Sequence, residues 1–205
     1  MSALNILFGS QERVKIMRLF LFNTEEIFDV DSICARSKVS KSKTRAELSV
    51  LDKAGLVKKK IFFKVITKKV RGKVIEQKKK TQGFVLDSNF PYMTTFKQLL
   101  VNTSNLEGGD IVHRLSKSGK LKMLILSGIF IQNSDSRVDI LIVGDRVNKS
   151  TLDRAIKLIE SEIGKELTYA YFEVSDFEYR LQMYDKLVRD ILDYPHEVLL
   201  DKISL

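Results

Sequence analysis

Lysine and arginine are the residues of this sequence whose number and spacing most clearly predict a chemistry. The segment Ser40–Lys80 contains 15 basic residues and only three acidic ones. The whole chain has a formal net charge of +9, and all of the excess lies in residues 1–105, which carry +12 against −3 for residues 106–205. Clustered ammonium and guanidinium groups neutralise phosphates, so this distribution predicts a nucleic-acid partner. The alternative is a solvated basic surface with no partner.

Part of this charge falls on a helix that we predict from Ser40, as its N-cap, to about residue 54. Thr44, Leu48 and Leu51 recur at helical spacing and should face a core. The opposite face then carries Lys41, Ser42, Lys43, Arg45 and Ser49. Arg45 is the candidate for a bidentate contact with a guanine edge. The two serines are candidates for contacts with bases or phosphates, and the two lysines for positioning on the phosphate backbone. The pattern predicts a helix that reads the major groove of duplex DNA.

Two further helices are predicted before this one. Ser10 is a candidate N-cap for a helix that follows it directly, and Asp31 is the candidate N-cap of a short second helix. Ile33 and Cys34 of the second helix are expected to point inward. Gly55 is expected to end the third helix. This order of helices predicts a helix-turn-helix.

A basic β-hairpin is predicted after the third helix. Residues 57–70 have the composition of a strand, and a second strand is expected in two pieces, 74–75 and 83–86, with three lysines between them. The wing residues expected to contact phosphates or the adjacent minor groove are Lys68, Lys69, Arg71 and Lys73. Phe62 and Phe63 are expected to pack between the wing and the third helix; the alternative is that they stack on single-stranded bases. We assign residues 1–90 to a winged helix-turn-helix DNA-binding domain.

The second half of the chain alternates between helical and strand patterns. Residues 91–107 are predicted to form a helical linker that starts at Pro91. The elements predicted beyond it are helices over 110–117, 151–163 and 175–192 and strands over 121–126, 138–143 and 166–174. Strands separated by helices are typical of a small α/β domain with a mixed sheet, which we assign to residues 108–205.

Five segments resemble a known protein family. They are Leu7–Ile16, Ser127–Phe130, Val138–Asp145, Tyr169–Val174 and Phe177–Arg180. Together they resemble prokaryotic winged helix-turn-helix transcriptional regulators fused to a nucleotidyltransferase-like domain, over nearly the whole chain. The resemblance implies an α+β fold, with an N-terminal winged helix-turn-helix and a C-terminal nucleotidyltransferase-like α/β domain. It also implies a transcriptional regulator that binds double-stranded DNA.

The same resemblance implies that the C-terminal domain is degenerate. Active nucleotidyltransferases hold two divalent cations with paired carboxylates. Here Gly128 is followed by Ile129 rather than serine, and Asp139 is preceded two residues earlier by Arg137, a cation that would repel a metal. Glu173 is the only candidate for a third carboxylate. We therefore expect no enzyme activity, no catalytic residue, no metal and no cofactor.

Other interpretations stay open for the function of the chain. Gly128 and Asp139 could form a vestigial pocket that binds a nucleotide or a small-molecule effector; otherwise Asp139 should pair with Arg137 or cap a turn. An active nucleotidyltransferase, acting on a small molecule or a macromolecule, is one alternative for the whole chain. A nonspecific nucleic-acid binder and a protein-interaction scaffold are the others.

Composition bears on location and assembly. Cys34 is the single cysteine, so no internal disulfide forms, and we expect a cytoplasmic protein. The longest apolar run, 123–131, is much shorter than the ~20 residues of a membrane helix, and no membrane partner is expected. His113 and His196 are far apart and indicate no metal site. A homodimer is expected because two-fold symmetry doubles the contact of a winged helix with DNA.

Overall fold

The structure is a computed structural model with an α+β fold, and it describes residues 3–70, 73–101, 108–133 and 135–203. The chain divides into two compact units. Unit 1 comprises Met1–Val101 and Ser161–Lys165, and unit 2 comprises Asn102–Glu160 and Glu166–Leu205. In the described part of the chain, no helix has both the length and the apolar character needed to cross a membrane.

Unit 1 begins with four helices. They are α1 (Ala3–Leu7), α2 (Gln11–Phe22), α3 (Val30–Ser37) and α4 (Lys41–Lys53). The predicted N-cap of α2 is confirmed, because the Ser10 hydroxyl accepts a hydrogen bond of 3.1 Å from the Arg13 amide. This bond satisfies one of the amides that have no partner inside the helix.

The predicted N-cap of α3 is wrong by two residues. Asp29 has an extended backbone and its carboxylate accepts a 2.7 Å hydrogen bond from the Ser32 amide, so Asp29 is the cap. Asp31 lies in the first turn of the helix, where its carboxylate pairs with the Lys41 ammonium at 2.5 Å. Both positions carry aspartate, and sequence spacing alone does not separate a cap from a first-turn acid.

α4 has the buried face that the sequence predicts. Thr44, Leu48 and Leu51 are at most 3% exposed. Ser40 occupies the N-cap position, but its side chain makes no capping hydrogen bond. Gly55 follows the helix with a φ of +78°, a left-handed conformation that glycine adopts at little cost.

The core of unit 1 forms where α2 packs against α3 and α4. Phe20 and Phe28 are fully buried and meet edge to face, with ring centroids 5.7 Å apart. Ile33 of α3 is buried as predicted, whereas Cys34 is only half-buried, with its Sγ 3.3 Å from Thr44 Oγ1.

A long antiparallel ribbon follows α4. β1 (Val57–Val70) and β2 (Lys73–Leu86) pair residue for residue from Val57↔Leu86 to Val70↔Lys73. The predicted interruption of the second strand is wrong, because Lys78–Lys80 lies within β2 and pairs with 63–65 of β1. Lysine is tolerated in such a strand because its stem can cover apolar neighbours while the ammonium stays in water. Phe28 forms a bridge to Phe84 on the other edge of β2.

The last helix of unit 1 before residue 101 is α5 (Met93–Leu100). It starts later than predicted, because Tyr92 occupies the N-cap position and Pro91 lies in the turn before it. Phe96 of α5 packs against Phe8 and Phe90, with centroids 5.8 Å and 5.1 Å apart.

Unit 2 contains a four-stranded mixed sheet. Its strands are β3 (Lys120–Leu126), β4 (Ile140–Asp145), β5 (Tyr169–Phe172) and β6 (Glu197–Asp201). The order is β5-β4-β3-β6, with β4 and β5 parallel and the other pairs antiparallel. β5 is shorter than predicted, and β6 was not predicted: its exposures do not alternate along the strand, so its sequence carries little strand signal.

The helices of unit 2 are α6 (Gly108–Ser116), α7 (Lys149–Ile163), α8 (Val174–Gln182) and α9 (Lys186–Asp193), with a 3₁₀ turn at Gly128–Ile131. The last residues of α7, from Ser161 onward, belong to unit 1. A single helix over 175–192 was predicted, and this is wrong. Tyr184 has a φ of +55°, and the Asp185 carboxylate accepts hydrogen bonds from the amides of Leu187 and Val188. The break lets Val188 enter the core, where it is fully buried.

Candidate nucleic-acid interface

The solvent-facing side of α4 carries all five residues that the sequence assigned to DNA contact. Lys41, Ser42, Lys43, Arg45 and Ser49 are exposed. Lys41 pairs with Asp31, and Lys43 pairs with Glu12 of α2. Arg45 makes no ion pair with any described residue. Its guanidinium is therefore available to a ligand, while the two lysines are held at the edge of the helix.

A partly buried ion pair sets the position of α4 on α2. Arg13 Nε donates to the Glu47 carboxylate at 2.7 Å, and the Glu47 side chain is only 14% exposed. A second nitrogen of Arg13 donates to the Phe8 carbonyl at 2.9 Å. Because one guanidinium bridges the start of α2 and the middle of α4, the exposed face of α4 has a defined orientation.

A depression of about 400 Å³ lies beside the N-terminal end of α4. Its lining residues are Gln11, Glu12, Lys15, Lys38, Val39, Ser40 and Lys43. Three lysines, the free amides of the first turn and the unused Ser40 hydroxyl make this concavity suitable for an anion such as a phosphate. The hydrogen bond from Lys43 lowers the pKa of Glu12, so Glu12 carries the opposing negative charge.

The lysines of the ribbon fall into two groups. Lys58, Lys59 and Lys64 pair with Asp87, Asp52 and Asp29 at 3.0, 2.9 and 2.7 Å. Lys60 and the run Lys78–Lys80 are exposed and have no acidic partner among the described residues. Lys78–Lys80 lies opposite 63–65 of β1, and the exposed charge of this second group can meet phosphates.

Three of the four predicted wing residues, Lys68, Lys69 and Lys73, have their backbone at the far end of the ribbon. The backbone of Lys68 pairs with Ile75 and that of Lys69 with Val74, while Lys73 opposes Val70. Arg71 lies outside the described residues. The positions of these residues on the strands agree with a basic wing, and their contacts with DNA stay predictions.

The expected packing of Phe63 is wrong. The Phe63 side chain is 67% exposed, and the ring faces solvent together with Ile61 and Val65 of the same face. Phe62 points to the opposite face and is half-buried. Its ring lies so close to Gly83 that a Cβ atom at that glycine would be only 2.8 Å from it. Both faces of this strand carry apolar residues, so alternation in the sequence could not tell which phenylalanine is buried.

No protein-family model matches the chain, and no curated protein or solved structure does either.

The second candidate site, Gly128 with Asp139, is closed by its own backbone. Asp139 Oδ1 accepts a hydrogen bond from the Ile129 amide and Oδ2 accepts one from the Thr168 amide, both at 2.9 Å. Gly128 has a φ of +55°, and a Cβ at this position would clash with the Asp139 carboxylate. Both oxygens of Asp139 thus hold neighbouring loops together.

The other residues of the predicted vestigial site are separated from Asp139. Arg137 pairs with Asp190 of α9 rather than with Asp139, which corrects one interpretation from the sequence. Glu173 is exposed at the N-cap position of α8, without a capping hydrogen bond from its side chain. Among the residues described by the structure, no group of three or more His, Cys, Asp or Glu side chains could hold a metal ion.

Sequence reasoning missed two parts of the candidate interface. Lys15 and Lys38 line the depression beside α4, but they belong to the two preceding segments of the chain. Lys38 has a φ of +55° directly after α3, and this left-handed turn determines where its side chain lies. The basic composition was visible in the sequence, but the approach of three segments to one concavity depends on the tertiary fold.

Proposed function

We propose that the chain is a DNA-binding transcriptional regulator that reads duplex DNA with α4 and holds the phosphate backbone with the basic ribbon. The observation that carries the proposal is the exposed face of α4, on which Arg45 has no acidic partner in the described part of the chain and lies near a lysine-lined depression. The order of α2, α3, α4 and the ribbon is that of a winged helix-turn-helix.

In this proposal each group has a separate role. Arg45 contacts a guanine edge, since a guanidinium can donate two parallel hydrogen bonds to O6 and N7. Ser42 and Ser49 contact bases or phosphates. Lys41 and Lys43 exchange their carboxylate partners for phosphates, and the lysine-lined depression takes a further phosphate.

Unit 2 is proposed to be a degenerate nucleotidyltransferase-like domain that performs no catalysis. The support is that both Asp139 oxygens accept hydrogen bonds from backbone amides and that Arg137 forms an ion pair with Asp190. We propose a cytoplasmic homodimer, which would present two copies of α4 to a two-fold operator. A nucleotide or small-molecule effector would bind to unit 2.

The test is selection of random duplex DNA on the purified full chain, followed by binding of the enriched sequence and a scrambled one. We expect a motif that wild type prefers, and an Arg45→Ala variant that loses most of this preference, about 1–3 kcal/mol of discrimination at one base pair. Lys157→Ala, which removes an exposed charge from α7, is the matched control. Equal affinity for all duplexes would replace the proposal with nonspecific nucleic-acid binding, and no affinity would refute DNA binding.

The ribbon is tested by salt dependence. A variant with Lys68, Lys69 and Lys73 changed to alanine should bind both duplexes more weakly. The slope of log K against log salt should become shallower by about 0.9 for each phosphate contact that is lost. An unchanged slope would show that the wing does not contact the DNA backbone.

A further inference from the structure

One face of the ribbon combines exposed apolar side chains with lysines that have no acidic partner in the part of the chain that the structure describes. In a strand, residues two apart share a face, which places Ile61, Phe63 and Val65 together. Their exposures are 60%, 67% and 53%. Such a row of large apolar groups in water is unfavourable unless a ligand covers it.

The opposite strand places positive charge beside these apolar groups. In the register of the ribbon Phe63 faces Lys80, and Val65 faces Lys78. Directly opposed residues share a face, with Cβ atoms about 4.5–5.5 Å apart. Neither lysine has an acidic partner among the described residues. An exposed aromatic ring therefore lies opposite one lysine and diagonal to a second, and both cations can meet negative charge.

The chemistry of this face determines its occupant. A second copy of the ribbon would bring Lys78 and Lys80 against their own equivalents, and this repulsion argues against self-association. Double-stranded DNA offers phosphates, but its base faces are covered by stacking. Unpaired nucleotides offer both groups at once, a phosphate for the lysines and an open base face for the ring.

We propose that the face formed by Ile61, Phe63, Val65, Lys78 and Lys80 binds unpaired nucleotides of DNA, with a base stacked on Phe63 and the flanking phosphates on the two lysines. The inference rests on the proposed DNA-binding function and adds a second substrate class to it. Duplex would be read by α4, and a locally opened or single-stranded segment would be bound by the ribbon face.

The experiment compares three DNAs of one sequence with the full chain: a single strand, a perfect duplex, and a duplex with a central unpaired bubble. A 2-aminopurine in the single strand and in the bubble reports stacking through its fluorescence. Wild type should bind the bubble more tightly than the duplex. Phe63→Ala should lose about fivefold to a hundredfold in affinity for the single strand, the effect of one base–aromatic stack, and leave duplex affinity unchanged.

Substitutions separate ring stacking from apolar contact and from charge. Phe63→Tyr keeps a ring and should retain binding and quenching, whereas Phe63→Leu keeps only an apolar group and should behave as the alanine variant. In the double variant Lys78→Ala, Lys80→Ala, the slope of log K against log salt for the single strand should become shallower by about 1.4, which is ~0.7 for each lost phosphate contact. Because Phe63 is exposed, the circular dichroism spectra and melting temperatures of its variants should match wild type.

Each contrary outcome has its own meaning. This inference alone would be overturned if Phe63→Ala bound single strands as wild type does. It would also be overturned if wild type bound no single strand but still bound duplex with a preference that depends on Arg45. If the wild-type chain bound none of the three DNAs, the proposed function would be overturned as well. A change of sedimentation from dimer to monomer in Phe63→Ala, with DNA binding unchanged, would show that a second copy covers the face.

Discussion

Asp29 joins α3 to the middle of β1, and its substitution gives a quantitative test of this part of the fold. The Asp29 side chain is only 11% exposed. One carboxylate oxygen accepts a hydrogen bond from the Ser32 amide and the other accepts one from the Lys64 ammonium, each at 2.7 Å. Asp29 therefore has two roles, as the N-cap of α3 and as the partner of a lysine on β1.

The two roles can be separated by the choice of substitution. Asparagine caps a helix about as well as aspartate, so Asp29→Asn removes mainly the charge-assisted bond to Lys64. Such a bond is worth ~1.5–3 kcal/mol, and because the Lys64 side chain is 38% exposed we expect a loss of about 1–2 kcal/mol. Asp29→Ala also loses the cap, ~0.5–2 kcal/mol, for a total of about 1.5–4 kcal/mol.

The dependence on pH has a defined sign. Burial alone would raise the pKa of Asp29, but the hydrogen bonds from Lys64 and Ser32 together lower it below its ordinary value. The folded-state pKa is thus below the unfolded value of about 3.9, so the contribution is complete above that pH. It is lost as the pH falls through the folded pKa, and the difference between wild type and Asp29→Asn should shrink in acid.

The measurement is urea denaturation followed by far-ultraviolet circular dichroism at neutral and acidic pH, since the chain has no tryptophan. Lys64→Met completes a double-mutant cycle with Asp29→Asn, and we expect a coupling energy of about 1 kcal/mol or more. Zero coupling, or equal stabilities for Asp29→Asn and Asp29→Ala, would refute the separation into an ion pair and a cap.

Three other substitutions test the interface and unit 2. Glu12→Gln removes the carboxylate that pairs with Lys43, so it should strengthen duplex binding severalfold and steepen the dependence of that binding on salt. Unchanged binding isotherms would show that Lys43 contacts no phosphate. Asp139→Asn replaces one acceptor by a donor that faces an amide, so thermal or urea denaturation should show a loss of about 1–3 kcal/mol without altered DNA affinity. The hydrogen bond to Asp153 raises the pKa of Tyr169 to about 12, a contribution to stability that is present below the unfolded value of about 10 and lost as pH rises through 12. Ultraviolet titration should show this phenol returning toward an ordinary pKa in Asp153→Asn, and an unchanged titration curve would contradict the assigned cause.

The parts of the fold that could be predicted from sequence are those set by local periodicity. The buried face of α4 follows from the spacing of Thr44, Leu48 and Leu51, since one helical stripe must face the core whatever covers it. Gly55 marks the end of this helix because few other residues tolerate its positive φ. These signals need no knowledge of distant contacts.

The errors occur where distant parts of the chain decide between local options. Phe62 and Phe63 are chemically identical, and only the fold determines which one lies over Gly83. The helical pattern breaks at Tyr184, and the new helix that Asp185 caps places Val188 in a core built from other elements of unit 2. For the candidate interface, the exposed residues of α4 could be predicted from sequence, but the contribution of Lys15 could not.

The ion pairs around α4 bear directly on how the proposed interface would discriminate between sequences. Asp31 and Glu12 hold Lys41 and Lys43 at the edge of the helix, and exposed ion pairs generally contribute only about 0–1 kcal/mol. A phosphate can therefore replace either carboxylate at little cost in stability. The carboxylates remain nearby, however, and their charge opposes any phosphate backbone that approaches. This opposition weakens binding to every sequence alike, so tight binding would require the contact between Arg45 and a base. Arg45 has no acidic partner among the described residues, so no such carboxylate has to be displaced for this contact to form.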